Sequence, residues 1–325
     1  MHASVLIITK NRAAVLPQCL EGLLPQLRDG HELVVVDSSE NDETQRIMAR
    51  HPAARYFRVQ LGPGTRPQSY SFGAAQCRGD VVALLDDDAI PHPGWLDTLL
   101  ALYADPTVGA AGGRVVSNNP ESEPSVGISS DDVGRVLLTG RIRSHCDFDG
   151  TTAFDVDTLR GCNMSVRRAL FDRIGYFDSR YTGQNCRVED DVCVRIQHAG
   201  YRVVFHPKAV VTHLTAERQD VPRASDHPRA IFYVARNTVY FYIKNFGWRP
   251  RLLWYVLVWN PLVDGARYAL RGGVRHFHGV SMKGLRLALI NLWGSWVGLG
   301  AALARALDHG GATTDTACCA KVSET

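Results

Sequence analysis

The stretch Val81-Val82-Ala83-Leu84-Leu85-Asp86-Asp87-Asp88-Ala89 joins an apolar run directly to three consecutive carboxylates. The apolar part is long enough to form a buried strand. Carboxylates held this close repel one another, so the cluster is favourable chiefly when a divalent cation or strong hydrogen-bond donors face it. A solvated turn with one helix cap would be the preferred explanation for an isolated acidic triplet. The neighbouring segments favour the cation, and a metal at the carboxyl end of a strand indicates phosphate chemistry.

Two earlier apolar runs end in the same way. Ser4–Ile8 is followed by Thr9-Lys10-Asn11-Arg12, and Glu32–Val36 is followed by Asp37-Ser38-Ser39. In open α/β sheets the carboxyl ends of the strands line the ligand crevice. We therefore expect a nucleotide to bind where these polar residues meet.

Helical periodicity fills the segments between these runs. Apolar residues recur at helical spacing from Leu16 to Leu27, and further helices are predicted over Ser39–Arg50 and Ser69–Cys77, with a short strand at Tyr56–Val59. A repeated strand–helix order is typical of an α/β protein with a mostly parallel central sheet flanked by helices.

Composition limits the class of protein. The 325 residues are 45% hydrophobic and 21% charged, enough for a full α/β core with a smaller appendage. A net charge of +3 and the lack of any nucleic-acid-binding pattern argue against a nucleic-acid partner. The eight cysteines form no CxxC pair, and an apolar strand begins almost at Met1 in place of a signal peptide. These features predict a cytoplasmic protein with reduced thiols.

A second acidic cluster, Glu189-Asp190-Asp191, opens a segment whose apolar residues continue as a helix. Carboxylates in a first helical turn interact favourably with the helix dipole, by about 0.3–1 kcal/mol each. Three carboxylates are more than stabilisation of the first helical turn requires. One of them, placed near a bound phosphate, is a candidate general base for an acceptor hydroxyl.

Five segments in this order resemble the inverting family 2 glycosyltransferases of the GT-A fold, over about residues 3–215. A chain of five motifs is far more specific than any one of them. The segments are Ser4–Arg12, Val34–Ser38, Leu84–Asp88, Gly161–Ser165 and Glu189–Asp191.

The resemblance implies a nucleotide-sugar donor and a divalent cation, Mn²⁺ or Mg²⁺. Asp37 would accept hydrogen bonds from the base, which suits uridine, and Asp86 and Asp88 match the outer residues of the family's DxD motif. Arg66 would replace an arginine that many relatives carry near Ser69–Ser71. The implied donor-binding residues are Thr9, Asn11, Arg12, Asp37, Ser39, Arg66, Asp86 and Asp87, and the implied metal ligands are Asp88, Asp86 and His213.

For the acceptor side the resemblance implies contacts from Gly161, Cys162, Asn163 and Trp95. It places the general base at Asp190, while the register leaves Glu189 and Asp191 open as alternatives. The QxxRW motif of processive synthases is absent from residues 196–202. A single-sugar, non-processive transferase is therefore expected, acting on the hydroxyl of a lipid-linked or small-molecule acceptor.

The domain organisation follows from the same patterns. Residues 1–220 are expected to form the catalytic domain, with a nucleotide-binding half over about residues 1–115 and an acceptor-binding half over about residues 116–220. Residues 221–307 are aromatic-rich and read as helices, and residues 308–325 as a disordered tail.

Two interpretations of the C-terminal helices stay open. They could lie on the inner face of the cell membrane, with tryptophans at the interface and arginines at the headgroups. They could instead cover one another or pack in a homodimer. The alternative to a glycosyltransferase is a nucleotidyltransferase acting on a sugar phosphate, although Thr9–Arg12 lacks the glycine-rich phosphate loop typical of that class.

Overall fold

The computed structural model describes residues 1–62, 65–117, 128–183, 186–214, 227–271, 282–308 and 322–323. The strands are β1 (Ala3–Thr9), β2 (Glu32–Asp37), β3 (Arg55–Val59), β4 (Val81–Asp86), β5 (Ala89–Pro91), β6 (Val108–Ser117), β7 (Arg135–Val136), β8 (Ile142–Arg143), β9 (Phe154–Asp155), β10 (Met164–Arg167), β11 (Arg202–His213) and β12 (Val322–Ser323).

The helices are α1 (Leu16–Leu23), α2 (Glu43–Met48), α3 (Arg66–Gln76), α4 (Trp95–Leu102), α5 (Ala169–Ile174), α6 (Val188–His198), α7 (Pro228–Phe246), α8 (Pro250–Trp254), α9 (Asn260–Arg271) and α10 (Met282–Asp308). One π-helical turn, Tyr255–Trp259, joins α8 to α9.

Within the described residues, the main sheet runs β12-β3-β2-β1-β4-β10-β6-β11-β5, with β9 also paired to β11. Strands β3, β2, β1 and β4 are parallel neighbours, while β10 runs antiparallel to both β4 and β6. The register pairs Thr9 with Asp37 and Ile8 with Asp86. The polar ends of β1, β2 and β4 therefore meet at one edge, as the sequence predicts.

The core occupies both faces of the sheet because successive residues of a buried strand point to opposite sides. Leu6 and Val34 belong to one cluster, which includes residues of α3, α6 and α7. Val5 and Val35 belong to the other, which includes residues of α1 and α4. Residues of α7 thus share a core with the sheet.

Some predicted boundaries are wrong. Helix α2 begins at Glu43 and not at Ser39, because Ser39 is engaged in bonds to the ends of β1 and β2. Helix α3 begins at Arg66 and not at Ser69, with a proline in its first turn. Strand β11 continues through Pro207, with a shift of register between His206 and Val211.

The C-terminal helices pack closely on one another. A Cβ on Gly294 would lie 2.5 Å from the carbonyl oxygen of Phe232, and one on Gly298 would lie 2.3 Å from that of Arg236. These glycines let the backbone of α10 approach that of α7. The predicted boundary near residue 220 falls outside the described residues, and so does the predicted tail apart from Asp308 and β12.

Candidate active site

The acidic triplet closes β4 and turns into β5, and the structure supplies it with strong donors. All three carboxylates are buried. Arg12, just after β1, donates from Nη1 to Oδ1 of Asp87 at 2.6 Å and from Nη2 to Oδ2 of Asp88 at 2.7 Å. A guanidinium fork bound to two carboxylates fixes their positions as well as neutralising charge.

Thr9 also holds Asp87 in place. Its hydroxyl donates to Oδ2 of Asp87 at 2.7 Å. Burial raises the pKa of Asp87 to about 6, although the Arg12 charge acts in the opposite direction. All three residues are predicted to contact the donor. In this structure Thr9 and Arg12 each donate a hydrogen bond to Asp87, and the donor contacts of the three stay a prediction.

Three side chains come together as a candidate metal site, as the sequence predicts. Nε2 of His213 lies 3.2 Å from Oδ1 of Asp88 and 3.9 Å from Oδ2 of Asp86. The ligand atoms of Asp86, Asp88 and His213 all lie within 4.8 Å of one another. Two carboxylates and an imidazole suit Mn²⁺ or Mg²⁺, so the donor set fits the predicted cation.

Arg66 connects this cluster to the second acidic segment. Its Nη2 donates to Oδ1 of Asp86 at 2.5 Å and lies 3.8 Å from Oε1 of Glu189. Tyr70, one helical turn further along α3, donates its hydroxyl to Oδ1 of Asp86 at 3.0 Å. Tyr70 was not among the predicted site residues, because its spacing of four residues from Arg66 becomes meaningful only once α3 is seen to begin at Arg66.

The residues predicted to contact the nucleotide base form a closed network. The oxygens of buried Asp37 accept from Ser39 N and from the hydroxyl of Tyr56, both at 2.7 Å. Asn11, at a positive φ of 53°, accepts from Glu40 N and donates its own N–H to the Ser39 hydroxyl. Burial, followed by the hydrogen bond to Asp37, raises the pKa of Tyr56, so its hydroxyl keeps the proton that it donates.

Two residues predicted to contact the acceptor, Trp95 and Asn163, are buried in this structure. Trp95 Nε1 donates to Oδ1 of Asn163 at 2.8 Å, and both side chains are fully buried. Asn163 Nδ2 donates to the carbonyl oxygens of Arg114 and Ala209. The indole N–H of Trp95 and the amide of Asn163 thus have partners inside the protein, and the acceptor contacts of both residues stay a prediction.

Gly161 and Cys162 lie in a short 3-10 turn before β10. A Cβ on Gly161 would lie 2.4 Å from Oε1 of Glu189, so the glycine allows that carboxylate to approach. Burial raises the pKa of Cys162 well above its usual range, which keeps the thiol protonated. Burial also raises the pKa of Glu189, against the opposing charge of Arg66.

The three carboxylates that open α6 have different surroundings. Asp191 is fully buried, and its oxygens accept from four donors: Tyr181, Arg195, Lys244 and Asn245. Burial opposes its ionisation, but Arg195 and Lys244 hold the pKa of Asp191 well below its usual range. The oxygens of Asp191 are therefore occupied by donors from within the protein, and its role as the general base stays a prediction.

Asp190 is partly buried and pairs with the arginine that precedes α6. Its Oδ2 accepts from Nη1 of Arg187 at 3.1 Å, and its side chain is 17% exposed. It lines a small cavity of about 50 Å³ together with Arg160 and Arg187. Glu189 and Asp190 thus remain candidates for proton transfer, one beside Arg66 and the other in the cavity wall.

The arrangement combines two functions at one end of the sheet. The Asp86, Asp88 and His213 cluster can hold a cation against a diphosphate, and the start of α6 presents a carboxylate that can accept a proton. This is the chemistry of group transfer from a diphosphate donor to a hydroxyl.

Comparison with known proteins agrees with this assignment. The model of the family "Glycosyl transferase family 2" matches residues 4–175, more than half of the chain. A glucosyl-dolichyl phosphate glucuronosyltransferase of Haloferax volcanii is 30% identical over 66% of this chain and 69% of that protein. A pre-mycofactocin glycosyltransferase of Mycobacterium tuberculosis is 32% identical over 43% of this chain, a match that spans 28% of the relative.

Solved structures show the same fold. The mannosyltransferase PcManGT from Pyrobaculum calidifontis, in complex with GDP-Man and Mn²⁺, gives a TM-score of 0.57 at 21% identity and covers 95% of this chain and 87% of its own. S. aureus TarS 1-349 in complex with UDP-GlcNAc gives 0.56 at 15% identity, with coverage of 89% and 80%. The chain belongs to glycosyl transferase family 2 and is a glycosyltransferase with the GT-A fold.

Proposed function

We propose that this family 2 glycosyltransferase transfers one sugar, with inversion, from a nucleoside diphosphate donor to an acceptor hydroxyl, and releases its product after each transfer. The observation that carries the proposal is the position of Asp86, Asp88 and His213 beside the carboxylates that open α6. Uridine diphosphate is proposed as the carrier on the family resemblance of Asp37 alone.

Asp86, Asp88 and His213 would hold a divalent cation, Mn²⁺ or Mg²⁺, which when bound supplies positive charge to the departing diphosphate. The chain itself contributes the orientation of these ligands. Arg12 and Thr9 fix the acidic turn through Asp87 and Asp88, and Arg66 fixes Asp86. Groups held in place before reaction stabilise developing charge without reorganising.

We assign the general base to Asp190. Asp191 is saturated by four donors, and Glu189 lies against Arg66 on the side of the cation cluster. An inverting transfer needs its base on the face of the donor sugar opposite the leaving diphosphate. Asp190 lines a cavity whose lining contains none of Asp86, Asp88 and His213, which supports its placement on the acceptor side.

The proposal is tested by incubating the protein with a panel of UDP- and GDP-sugars, Mn²⁺ or Mg²⁺ and candidate acceptors, and measuring nucleoside diphosphate release. Asp190→Asn is expected to lower kcat at least 100-fold with the donor KM little changed, because general base catalysis contributes about 10²–10⁴-fold. Glu189→Gln is expected to raise the donor KM.

Near-normal kcat in Asp190→Asn, with loss in Glu189→Gln, would move the base to Glu189. Release of pyrophosphate in place of nucleoside diphosphate would identify a nucleotidyltransferase.

We further propose a lipid-linked acceptor at a membrane surface. The relative from Haloferax volcanii is named for a dolichyl phosphate substrate. One described helix, Leu285–Asp308, is long and apolar enough to cross a membrane by length and composition. Its buried positions include polar residues such as Asn291 and Ser295, while most of its large apolar side chains are exposed.

We call this exposed set the outer apolar face. It comprises Leu285, Leu289, Leu292, Trp293, Trp296, Leu303 and Leu307 of α10, together with Trp254, Val258, Trp259 and Leu262 of the preceding helical segment. So many exposed large apolar side chains on neighbouring helices support an interaction site there. Exposed arginines on the same helices, Arg249, Arg251, Arg267 and Arg286, suit anionic headgroups.

Cosedimentation with phosphatidylcholine vesicles, with and without phosphatidylglycerol, tests the membrane contact. Binding should require the anionic lipid, weaken at high salt and be largely lost in Trp293→Ser/Trp296→Ser. A concentration-dependent dimer that is abolished by the same double variant, with no vesicle binding, would assign the outer apolar face to self-association.

A further inference from the structure

A cavity is lined in part by Asp190, in the first turn of α6. Its walls carry the polar side chains of Ser144, Thr158, Arg160 and Arg187, and apolar residues such as Leu159 and Phe205 complete the lining. A volume of about 50 Å³ exceeds what one water molecule needs. The cavity is suited to a small polar group, such as one end of a larger ligand.

Arg187 is held in an unusual position at this cavity. It occupies the left-handed region at φ 76°, immediately before α6. Its Nη1 donates to Asp190 at 3.1 Å and its Nε to the hydroxyl of Thr238 on α7 at 3.3 Å. A guanidinium carries five N–H donors, so Arg187 retains donors beyond these two contacts. Strained backbone of this kind concentrates at ligand sites.

Arg160 brings a second guanidinium to the same lining. It directly precedes Gly161, its side chain is exposed, and the cavity opens beside it. Against these two cations the lining carries one aspartate, Asp190. Two arginines around a polar cavity favour an anion with several acceptor oxygens, because the planar fork matches phosphate geometry.

The cavity is also joined to the outer apolar face. Gly134 and Ser144, at the base of the β7–β8 hairpin, form part of its lining. The outer end of that hairpin is fastened to α9, since Asn260 Nδ2 donates to the carbonyl oxygen of Thr139 at 2.7 Å and Arg141 pairs with Asp264 at 2.8 Å. One hairpin therefore contacts both the helices that we place at the membrane and the cavity beside the base.

We propose that Arg160 and Arg187 bind a phosphate group of the acceptor, so that an anionic acceptor is selected and its hydroxyl is directed towards Asp190. This inference rests on the proposed function, since it assigns the cavity to the acceptor of that reaction. The phosphate could belong to a lipid carrier or to a soluble sugar phosphate, and both would present the same oxygens to the two arginines.

The test is a calorimetric titration of the full chain that does not depend on turnover. The protein is saturated with UDP and Mn²⁺ to occupy the donor side, and then titrated with glycerol 1-phosphate and with a short-chain polyprenyl phosphate in detergent. Arg160→Ala is expected to weaken binding of both probes at least tenfold, and Arg160→Lys to weaken it less. Arg28→Ala is the control because Arg28 is exposed and pairs only with Asp97 among the described residues.

Tighter binding of the polyprenyl phosphate would identify a lipid carrier, and equal binding a soluble phosphate. No phosphate binding by the wild type, or binding unchanged in Arg160→Ala and Arg160→Lys, would overturn the inference. Nucleoside diphosphate release, measured separately, would still stand in that case, so failure here is distinct from failure of the proposed function. A cooperative thermal transition in each variant confirms that it is folded.

Discussion

Lys244 is the residue whose removal tests most directly how the C-terminal helices support the site. Its Nζ lies 2.7 Å from Oδ2 of Asp178 and 2.9 Å from Oδ2 of Asp191, and all three side chains are buried. Lys244 belongs to α7, whereas Asp191 belongs to the first turn of α6 beside the candidate base. The ion pairs therefore fix α6 against α7.

Replacing Lys244 by Met should leave two buried carboxylates without their shared cation. Removing one partner of a buried ion pair typically costs 3–5 kcal/mol, and the lower end applies here because Asp191 keeps Arg195 and Asp178 keeps the Tyr240 hydroxyl. We expect a loss of about 3 kcal/mol in unfolding free energy, and at about 2 °C per kcal/mol a fall of about 6 °C in Tm.

Urea unfolding followed by circular dichroism measures this change at pH 7. Lys208→Met is the matched control, since Lys208 is half exposed and lies 3.9 Å from exposed Asp149, and such a pair contributes at most about 1 kcal/mol. The double variant Lys244→Met/Asp178→Asn should recover part of the loss because it removes one stranded charge. A Lys244→Met variant as stable as Lys208→Met would refute the reasoning.

The same network predicts a direction for the pH dependence. Burial opposes the ionisation of Asp178 and Asp191, but the neighbouring cations lower the pKa of both carboxyls. A carboxyl with a lowered folded-state pKa stabilises the fold above its unfolded pKa of about 3.9 and ceases to do so as the pH falls through the folded value. The stability advantage of the wild type over Lys244→Met should be full at pH 7 and shrink below about pH 4.

Two substitutions test the site itself. His213→Ala should raise the Mn²⁺ concentration needed for half-maximal activity at least tenfold, since even an outer partner of a metal ligand contributes about 10–100-fold to metal affinity. His206→Ala is the control and should leave this concentration unchanged. Equal Mn²⁺ requirements in both variants would exclude His213 as a ligand. Gly161→Ala should raise the donor KM at unchanged Tm because the new Cβ displaces the Glu189 carboxylate. Gly300→Ala, where a Cβ meets open space, is its control, and an equal donor KM in the two glycine variants would show that the Glu189 position does not matter.

Much of the catalytic domain can be predicted from the local sequence pattern. Strands β1, β2 and β4 are read directly from apolar runs that end in polar residues, because a strand buried on both faces has a nearly continuous apolar sequence. The Asp86–Asp88 triplet likewise indicates a cation site, because clustered carboxylates need one or an equivalent set of donors. The family resemblance implied that His213 joins Asp86 and Asp88 as a metal ligand, and the fold brings these three side chains together.

Tertiary contacts decide which carboxylate at the start of α6 remains accessible. Nothing in Glu189-Asp190-Asp191 distinguishes the three, since all lie in one helical turn and all suit its dipole. Two of the four donors that surround Asp191, Lys244 and Asn245, reach it from α7, more than fifty positions further along the chain.

Tertiary contacts also decide the partners of Trp95 and Asn163. The family resemblance singled out Trp95 and Asn163 as acceptor contacts, but only the folded structure shows that Trp95 donates a hydrogen bond to Asn163. Local sequence determines where strands end and where charge collects, because those properties depend on neighbours in the chain. Which charged or polar side chain is buried depends on donors that arrive from distant segments, and only the folded structure brings those donors into place.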